Sequence, residues 1–272
     1  MGSLQGLLVL NINIDPYILH LGKFSISWHG TLMAAGALLI YIICISEGKK
    51  QGFKRAELDM LAVWLIIGGS IGARTVKVVA YPQFFLSHPI SIFIPQDKGT
   101  SSTGAVLGSV LTLWLYARYH KLQFRTLADL LALACPAGIF VGRIGCLIMG
   151  DATGIPTRNW GLVYWHTNSA VPVELIGRPI FPAPLFLAIS AITLLFLLLW
   201  LRRKVHHAGV ISAVFLLGYA IIRFVINFWQ IDPQVFLRLK YIQWVALVIF
   251  LTGCIVFLGS YLPKYRTSPV EN

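Results

Sequence analysis

The stretch VGRIGCLIMGDATG, Val141–Gly154, closes an apolar run that begins near residue 127, and it carries an arginine where lipid is expected. From about 127 to 149 that run is long enough to cross a bilayer core of about 30 Å as a helix rising about 1.5 Å per residue. Six further stretches of the same kind flank it, at about 24–46, 58–80, 102–119, 182–201, 208–229 and 241–262. With 57% hydrophobic and 12% charged residues among 272, the chain falls in the polytopic membrane class, and little is left for a soluble core. The expected fold is all-α: a seven-transmembrane-helix bundle, one domain spanning residues 1–272. No repeat of fixed period, low-complexity tract or long linker divides it.

The formal net charge of +12 does not point to nucleic acid, because the basic residues sit in short loops and not on one contiguous face. Lys49, Lys50, Lys54 and Arg55 lie between the first two spans, Arg118, Lys121 and Arg125 between the third and fourth, and Arg202, Arg203 and Lys204 between the fifth and sixth; Lys264 and Arg266 follow the seventh. The positive-inside rule makes these loops cytoplasmic, with the N-terminus outside and the C-terminus inside. The opening MGSLQGLLVLNIN has no basic start and reads as an interfacial lead-in, not a cleavable signal peptide. Cys44, Cys135, Cys146 and Cys254 all fall within expected spans, so a disulfide framework is not expected. The outer loop of about 151–181, with Trp160, Tyr164 and Trp165, is expected to be ordered at headgroup level. Glycine pairs at four-residue spacing (Gly68 and Gly72, Gly104 and Gly108, Gly138 and Gly142) would let helices approach closely.

Assigning depth from this topology gathers the intramembrane polar residues in the outer half. His29 is near the outer end of the first span, Arg74 and Lys77 of the second, Thr103 of the third. Arg143, Cys146 and Asp151 mark the outer exit of the fourth, and Tyr219, Arg223, Asn227 and Gln230 that of the sixth. Four cations thus share this half, with Asp151 the fixed anion available to them in those spans. An unpaired arginine within a membrane costs between about 2.5 and 17 kcal/mol depending on the reference, so the surplus calls for snorkelling or for an anion from elsewhere. A phospholipid phosphate is such an anion, and the guanidinium fork grips two of its oxygens at once. Lys77, within a turn of its span end, is expected to snorkel. The remaining histidines, His20, His88, His120, His166, His206 and His207, show no metal-ligand spacing, so neither metal nor other cofactor is expected. No phosphate-binding loop, nucleophile elbow or H-E-x-x-H motif is found.

At GRIGCLIMGDATG the chain resembles the prolipoprotein diacylglyceryl transferase family, whose pattern is approximately G-R-x-G-N-x-x-N-x-E-x-x-G. Gly142, Arg143, Gly145 and Gly154 match; Asp151 stands in for the acid, and Cys146 and Met149 replace the two asparagines. IDPYILHLGKFSISWHG, SIGAR, GTSSTGAVLG and LLGYAIIRFVINFWQ, with the late Gln243, extend the resemblance through most of the chain. It implies phosphatidylglycerol held by Arg143 and Arg223, with Arg74 added from the charge reading, and transfer of the diacylglyceryl group to the lipobox cysteine of a secreted prolipoprotein, releasing glycerol phosphate. The setting would be the bacterial cytoplasmic membrane, with phosphatidylglycerol, other membrane lipids and prolipoproteins as partners. Departures cluster where chemistry is expected: His29 replaces a tyrosine, Thr103 a histidine found in some members, Cys146 an asparagine and Asn227 a glutamate. In RPIFPAPLFLA, Phe181, Pro184, Phe186 and Leu187 replace a His, Gln, Tyr and Glu. His29, Asp151 and Tyr219 are therefore the candidate catalytic residues, His29 as base for the incoming thiol, with Thr103, Cys146, Gly154 and Asn227 in support. Two other readings stay open: a catalytically altered paralogue that binds anionic phospholipid without transfer, and a small-anion transporter, against which the lack of inverted repeats speaks.

Overall fold

The computed structural model describes residues 9–21, 24–94, 99–205 and 207–261; His206, Lys264 and Arg266 lie outside them. In chain order the elements are β1 (Val9–Ile12), β2 (Tyr17–Leu21), β3 (Phe24–Ser27), α1 (Trp28–Lys50), α2 (Arg55–Ala80), α3 (Pro82–Ser87), α4 (Ser102–Tyr119), α5 (Phe124–Met149), β4 (Gly161–Tyr164), α6 (Ala183–Arg202), α7 (Val210–Ile226), β5 (Gln234–Phe236), β6 (Leu239–Lys240) and α8 (Tyr241–Tyr261). A 3₁₀ turn, Asn227–Trp229, prolongs α7.

Among the described residues six helices are long and apolar enough to cross a membrane: α1, α2, α5, α6, α7 with its 3₁₀ extension, and α8. The expected third span is the helix α4, 18 residues long, whose Ser, Thr and Gly content dilutes its apolar character. The helices begin and end within a few residues of the expected spans. The departure from an all-α chain lies in the connections. There β1 pairs in parallel with β4, β2 with β3 antiparallel, and β5 with β6 antiparallel.

The chain forms two compact units, one of Tyr41–Leu130 and one of the residues up to Ile40 and from Leu131 onward. In the first, α2 and α4 pack backbone to backbone. A Cβ built on Gly72 would sit 2.4 Å from the Gly104 carbonyl oxygen, and one on Gly108 2.2 Å from that of Gly68. The expected small-residue seams are thus real contacts, and any side chain there would force the helices apart. Ser101 caps α4 by accepting from the Gly104 N–H at 3.2 Å.

In the second unit the glycines of α5 seat α1. A Cβ on Gly36 would meet the Gly138 carbonyl oxygen at 2.7 Å, one on Gly142 the Met33 sulfur at 2.8 Å, and one on Gly145 the His29 Cα at 3.0 Å. Beyond α5 the loop region is ordered around a small apolar core of Ile12, Leu162, Tyr164, Val171, Leu175 and Ile180. Tyr164, expected at headgroup level, is instead 2% exposed, and its hydroxyl donates to the Leu147 carbonyl at 2.6 Å. Burial pushes its phenol pKa up, with the nearby Asp151 carboxylate adding to the shift. Trp160 and Trp165 stay exposed.

Gly72→Val places branched carbons against backbone that cannot yield. It should destabilise the α2–α4 pair by about 1–3 kcal/mol, as overpacked sites do, and lower the unfolding midpoint in detergent. An unchanged midpoint would contradict this packing.

Candidate active site

Three side chains meet where α1 begins and α5 ends. His29 is the second residue of α1, Cys146 lies in the last turn of α5, and Asp151 follows two residues after it. Gly150, at φ +81°, makes the left-handed turn that ends α5 and redirects the chain at Asp151. The His29 Nδ1 is 3.8 Å from Cys146 Sγ and 3.5 Å from Asp151 Oδ2. Arg143, one turn earlier on α5, directs Nη1 to Cys146 Sγ at 3.6 Å. The other oxygen of Asp151, Oδ1, is buried without a hydrogen-bond partner among the described residues.

Arg143 and Arg223 line one narrow pocket with Tyr219 and the apolar side chains of Ile139, Leu187 and Ile222. The two guanidinium groups are close enough to repel each other, and Arg223 Nη1 is buried with no acceptor among the described residues. Two cations thus share one apolar slot, and a buried guanidinium donor without an acceptor is costly.

A polar junction braces the end of α7 against the Asp151 loop. Asn227, fully buried, donates from Nδ2 to Gln230 Oε1 at 2.9 Å and to Asp232 Oδ2 at 2.6 Å. Lys240 donates from Nζ to the carbonyls of Asn227 at 2.7 Å, Phe228 at 3.2 Å and Gln230 at 2.5 Å, satisfying oxygens that a helix end leaves open. Burial pulls the Lys240 pKa down, and the Asp232 carboxylate opposes that shift. The Ile155 N–H donates to the Trp229 carbonyl and the Ile231 N–H to that of Thr153, both at 2.9 Å. Gly154 lies in this seam, where a Cβ would come within 2.1 Å of the Phe181 carbonyl oxygen; no residue with a side chain fits.

His29, Arg143, Cys146, Asp151, Gly154, Tyr219, Arg223 and Asn227 thus belong to one unit, while Arg74 and Thr103 belong to the other. Thr103 is in the first turn of α4. Arg74 is engaged otherwise than the charge reading expects. It donates to the carbonyls of Ile92 at 2.7 Å, Gly99 at 2.9 Å and Ile94 at 2.8 Å, donates also to that of Ser91, and lies over the Phe85 ring at 4.9 Å. Those bonds make it a clamp on the segment after α3. Lys77 lies 5.3 Å from the centre of the Tyr81 ring. Asp232 and Lys240 were not among the sequence candidates. The signal for Lys240 was its sign, since a lysine in an expected outer loop runs against the positive-inside bias.

The model of the prolipoprotein diacylglyceryl transferase family matches residues 16–259. The chain belongs to this family. Among its relatives, the phosphatidylglycerol–prolipoprotein diacylglyceryl transferase of Bordetella parapertussis is 31% identical over 264 residues, covering 93% of this chain and 98% of that protein. The enzyme of the same name from Cupriavidus metallidurans is 28% identical over 271 residues, covering 93% and 96%. That from Burkholderia ambifaria is 27% identical over 299 residues, covering 97% and 99%. In this member of the family, His29, Cys146 and Asp151 are three side chains that meet.

Lys240→Met removes three charge-assisted bonds that hold the turn after α7, in a partly exposed setting. A loss of about 1–3 kcal/mol and faster proteolysis within residues 227–233 are expected. Unaltered proteolysis there would show that the junction does not depend on Lys240.

Proposed function

We propose that this membrane protein transfers the diacylglyceryl group of phosphatidylglycerol to the lipobox cysteine thiol of secreted prolipoproteins. The observation that carries the reading is the pair Arg143 and Arg223 in one apolar pocket, with a buried donor of Arg223 unpartnered. A lipid phosphate supplies the missing acceptor, and the apolar walls suit the glycerol backbone and the start of the acyl chains. The thiolate sulfur attacks the glycerol carbon that bears the phosphate. The C–S bond forms as the C–O bond breaks, and the leaving glycerol phosphate keeps the electron pair where the two cations stabilise it. His29 activates the incoming thiol, with Asp151 and Cys146 at its Nδ1, and Tyr219 borders the phosphate. We assign Arg74 to holding its loop, a role its carbonyl partners support.

The proposal includes seven spans, α4 being the one added to the six apolar helices, in the bacterial cytoplasmic membrane. The N-terminus is outside, the C-terminus is cytoplasmic, and the site opens to the outer side, where exported prolipoproteins and lipid headgroups are both met. The basic loops support this orientation.

Arg143→Ala and Arg223→Ala should each weaken phosphatidylglycerol binding by about 10–150-fold, from about 1.5–3 kcal/mol per charged hydrogen bond. Arg143→Lys should also be impaired, because an ammonium lacks the two-pronged grip. His29→Gln should keep lipid affinity yet lose transfer by roughly 10²–10⁴-fold. Lipid binding measured on vesicles, beside transfer to a lipobox peptide, checks all four variants. Full affinity in both alanine variants would contradict the phosphate site, and full transfer in His29→Gln would remove the histidine from the chemistry.

A further inference from the structure

We infer that His29, Cys146 and Asp151 form a mononuclear site for a thiophilic divalent cation of the zinc class, whose open position takes the thiol of the incoming cysteine. The inference rests on the transferase reading and sharpens what His29 does within it. One ligand atom from each residue, the imidazole nitrogen, the thiol sulfur and a carboxylate oxygen, lies within 4.8 Å of the other two. Both contacts of the histidine are made by the same nitrogen, Nδ1: 3.8 Å to Cys146 Sγ and 3.5 Å to Asp151 Oδ2. With Zn–S of about 2.3 Å and Zn–N or Zn–O of about 2.0–2.1 Å, tetrahedral geometry sets ligand atoms about 3.3–3.6 Å apart, so both contacts of Nδ1 are within a few tenths of an ångström of that spacing.

The alternative for a cysteine, a histidine and an aspartate together is a proton relay. A relay puts the nucleophile and the carboxylate on opposite ring nitrogens, because one nitrogen cannot accept a thiol proton while donating to a carboxylate. Convergence on Nδ1 is the arrangement of ligands around a shared centre. The second Asp151 oxygen, buried and without a hydrogen-bond partner among the described residues, fits a carboxylate whose partner is an ion.

Charge is consistent as well. Arg143, 3.6 Å from Cys146 Sγ, is the nearer cation to the trio, and Arg223 lies within electrostatic reach of the same sulfur. Thiolate and carboxylate cancel the charge of a divalent ion, so Arg143 faces a neutral centre. When a second thiolate arrives, the centre becomes anionic and Arg143 is its counter-ion. Three protein ligands with a vacant fourth position are the pattern of catalytic zinc, and a coordinating thiol is deprotonated outright. The substrate S–H therefore binds as thiolate and its proton passes to solvent. The metal-bound sulfur forms the C–S bond while the C–O bond to phosphate breaks, and the thioether product, uncharged and a poorer ligand, departs. His29 then activates the thiol through the ion it holds, so its loss costs transfer in either case. Scanning the sequence for ligand spacing cannot find this trio, because His29 and Cys146 are 117 residues apart.

The test uses the purified full chain in detergent, stripped with chelator and titrated with Co²⁺, then Zn²⁺. One Co²⁺ per chain is expected, with a thiolate-to-cobalt charge-transfer band that is lost in Cys146→Ser and displaced by zinc. Asp151→Asn, which removes a ligand charge with little change of shape, should weaken binding at least tenfold and keeps the test open if Cys146→Ser does not fold. A lipobox peptide should intensify the band, and its Cys-to-Ser counterpart should not. Absence of a stoichiometric ion, equal binding in both variants, or identical spectra with the two peptides would overturn the inference. So would undiminished transfer by chelator-treated protein, which leaves the transferase reading standing. A cobalt band that responds to the peptide, without transfer by the zinc-loaded protein, would uphold the metal site and sink that reading. Arg223→Ala, expected to lose lipid use and keep the band, separates the two functions of the site.

Discussion

The site depends on how closely α1 can approach α5. Gly138, Gly142 and Gly145 leave α5 without side chains along the face that receives α1, and at Gly145 the neighbouring backbone is that of His29 itself. A single added carbon there would press on the His29 Cα from 3.0 Å, close enough that the start of α1 would have to shift. The histidine, cysteine and aspartate are within reach of one another because of this seat and of the left-handed turn at Gly150. In lipid, where burial of apolar surface supplies little force between helices, such close packing is what holds two helices at a fixed depth relative to each other.

The protein handles its excess of positive charge in two ways. Arg74 and Lys240 are spent on backbone carbonyls, the first holding a loop and the second finishing a helix end. Arg143 and Arg223 are kept for the pocket, and Arg223 retains a buried donor that nothing in the described chain satisfies. A buried guanidinium donor without an acceptor is costly to keep. Asp232 lies within electrostatic reach of Arg223 and also takes a hydrogen bond from Asn227, so the acid supplied by the loop lends charge where the helix offers only an amide.

The apolar helices and the glycine seams were legible because they are local: apolar length and four-residue spacing are written in consecutive residues. Arg143 and Arg223 were legible for a related reason, since a charge deep in an apolar run stands out with no knowledge of its neighbours. What was hidden depends on chain reversal. Asp232 and Lys240 sit beyond the end of α7, and only the hairpin of β5 and β6 turns Lys240 back onto the carbonyls. Tyr164 reads as an interfacial aromatic until β1, far earlier in the chain, is paired beside it and buries it. Arg74 has the same depth signature as Arg143, and sequence alone cannot separate an arginine that will meet four carbonyls from one that meets none among the described residues. The juxtaposition of His29 and Cys146 likewise follows from helix packing and has no signature in spacing.

The most direct measurement is the mass of a lipobox peptide after incubation with the purified chain and phosphatidylglycerol. The expected result is a peptide heavier by one diacylglyceryl group on its cysteine, with glycerol phosphate released in equal amount and no product from the Cys-to-Ser peptide. A peptide of unchanged mass, from protein that binds phosphatidylglycerol through Arg143 and Arg223, would contradict it.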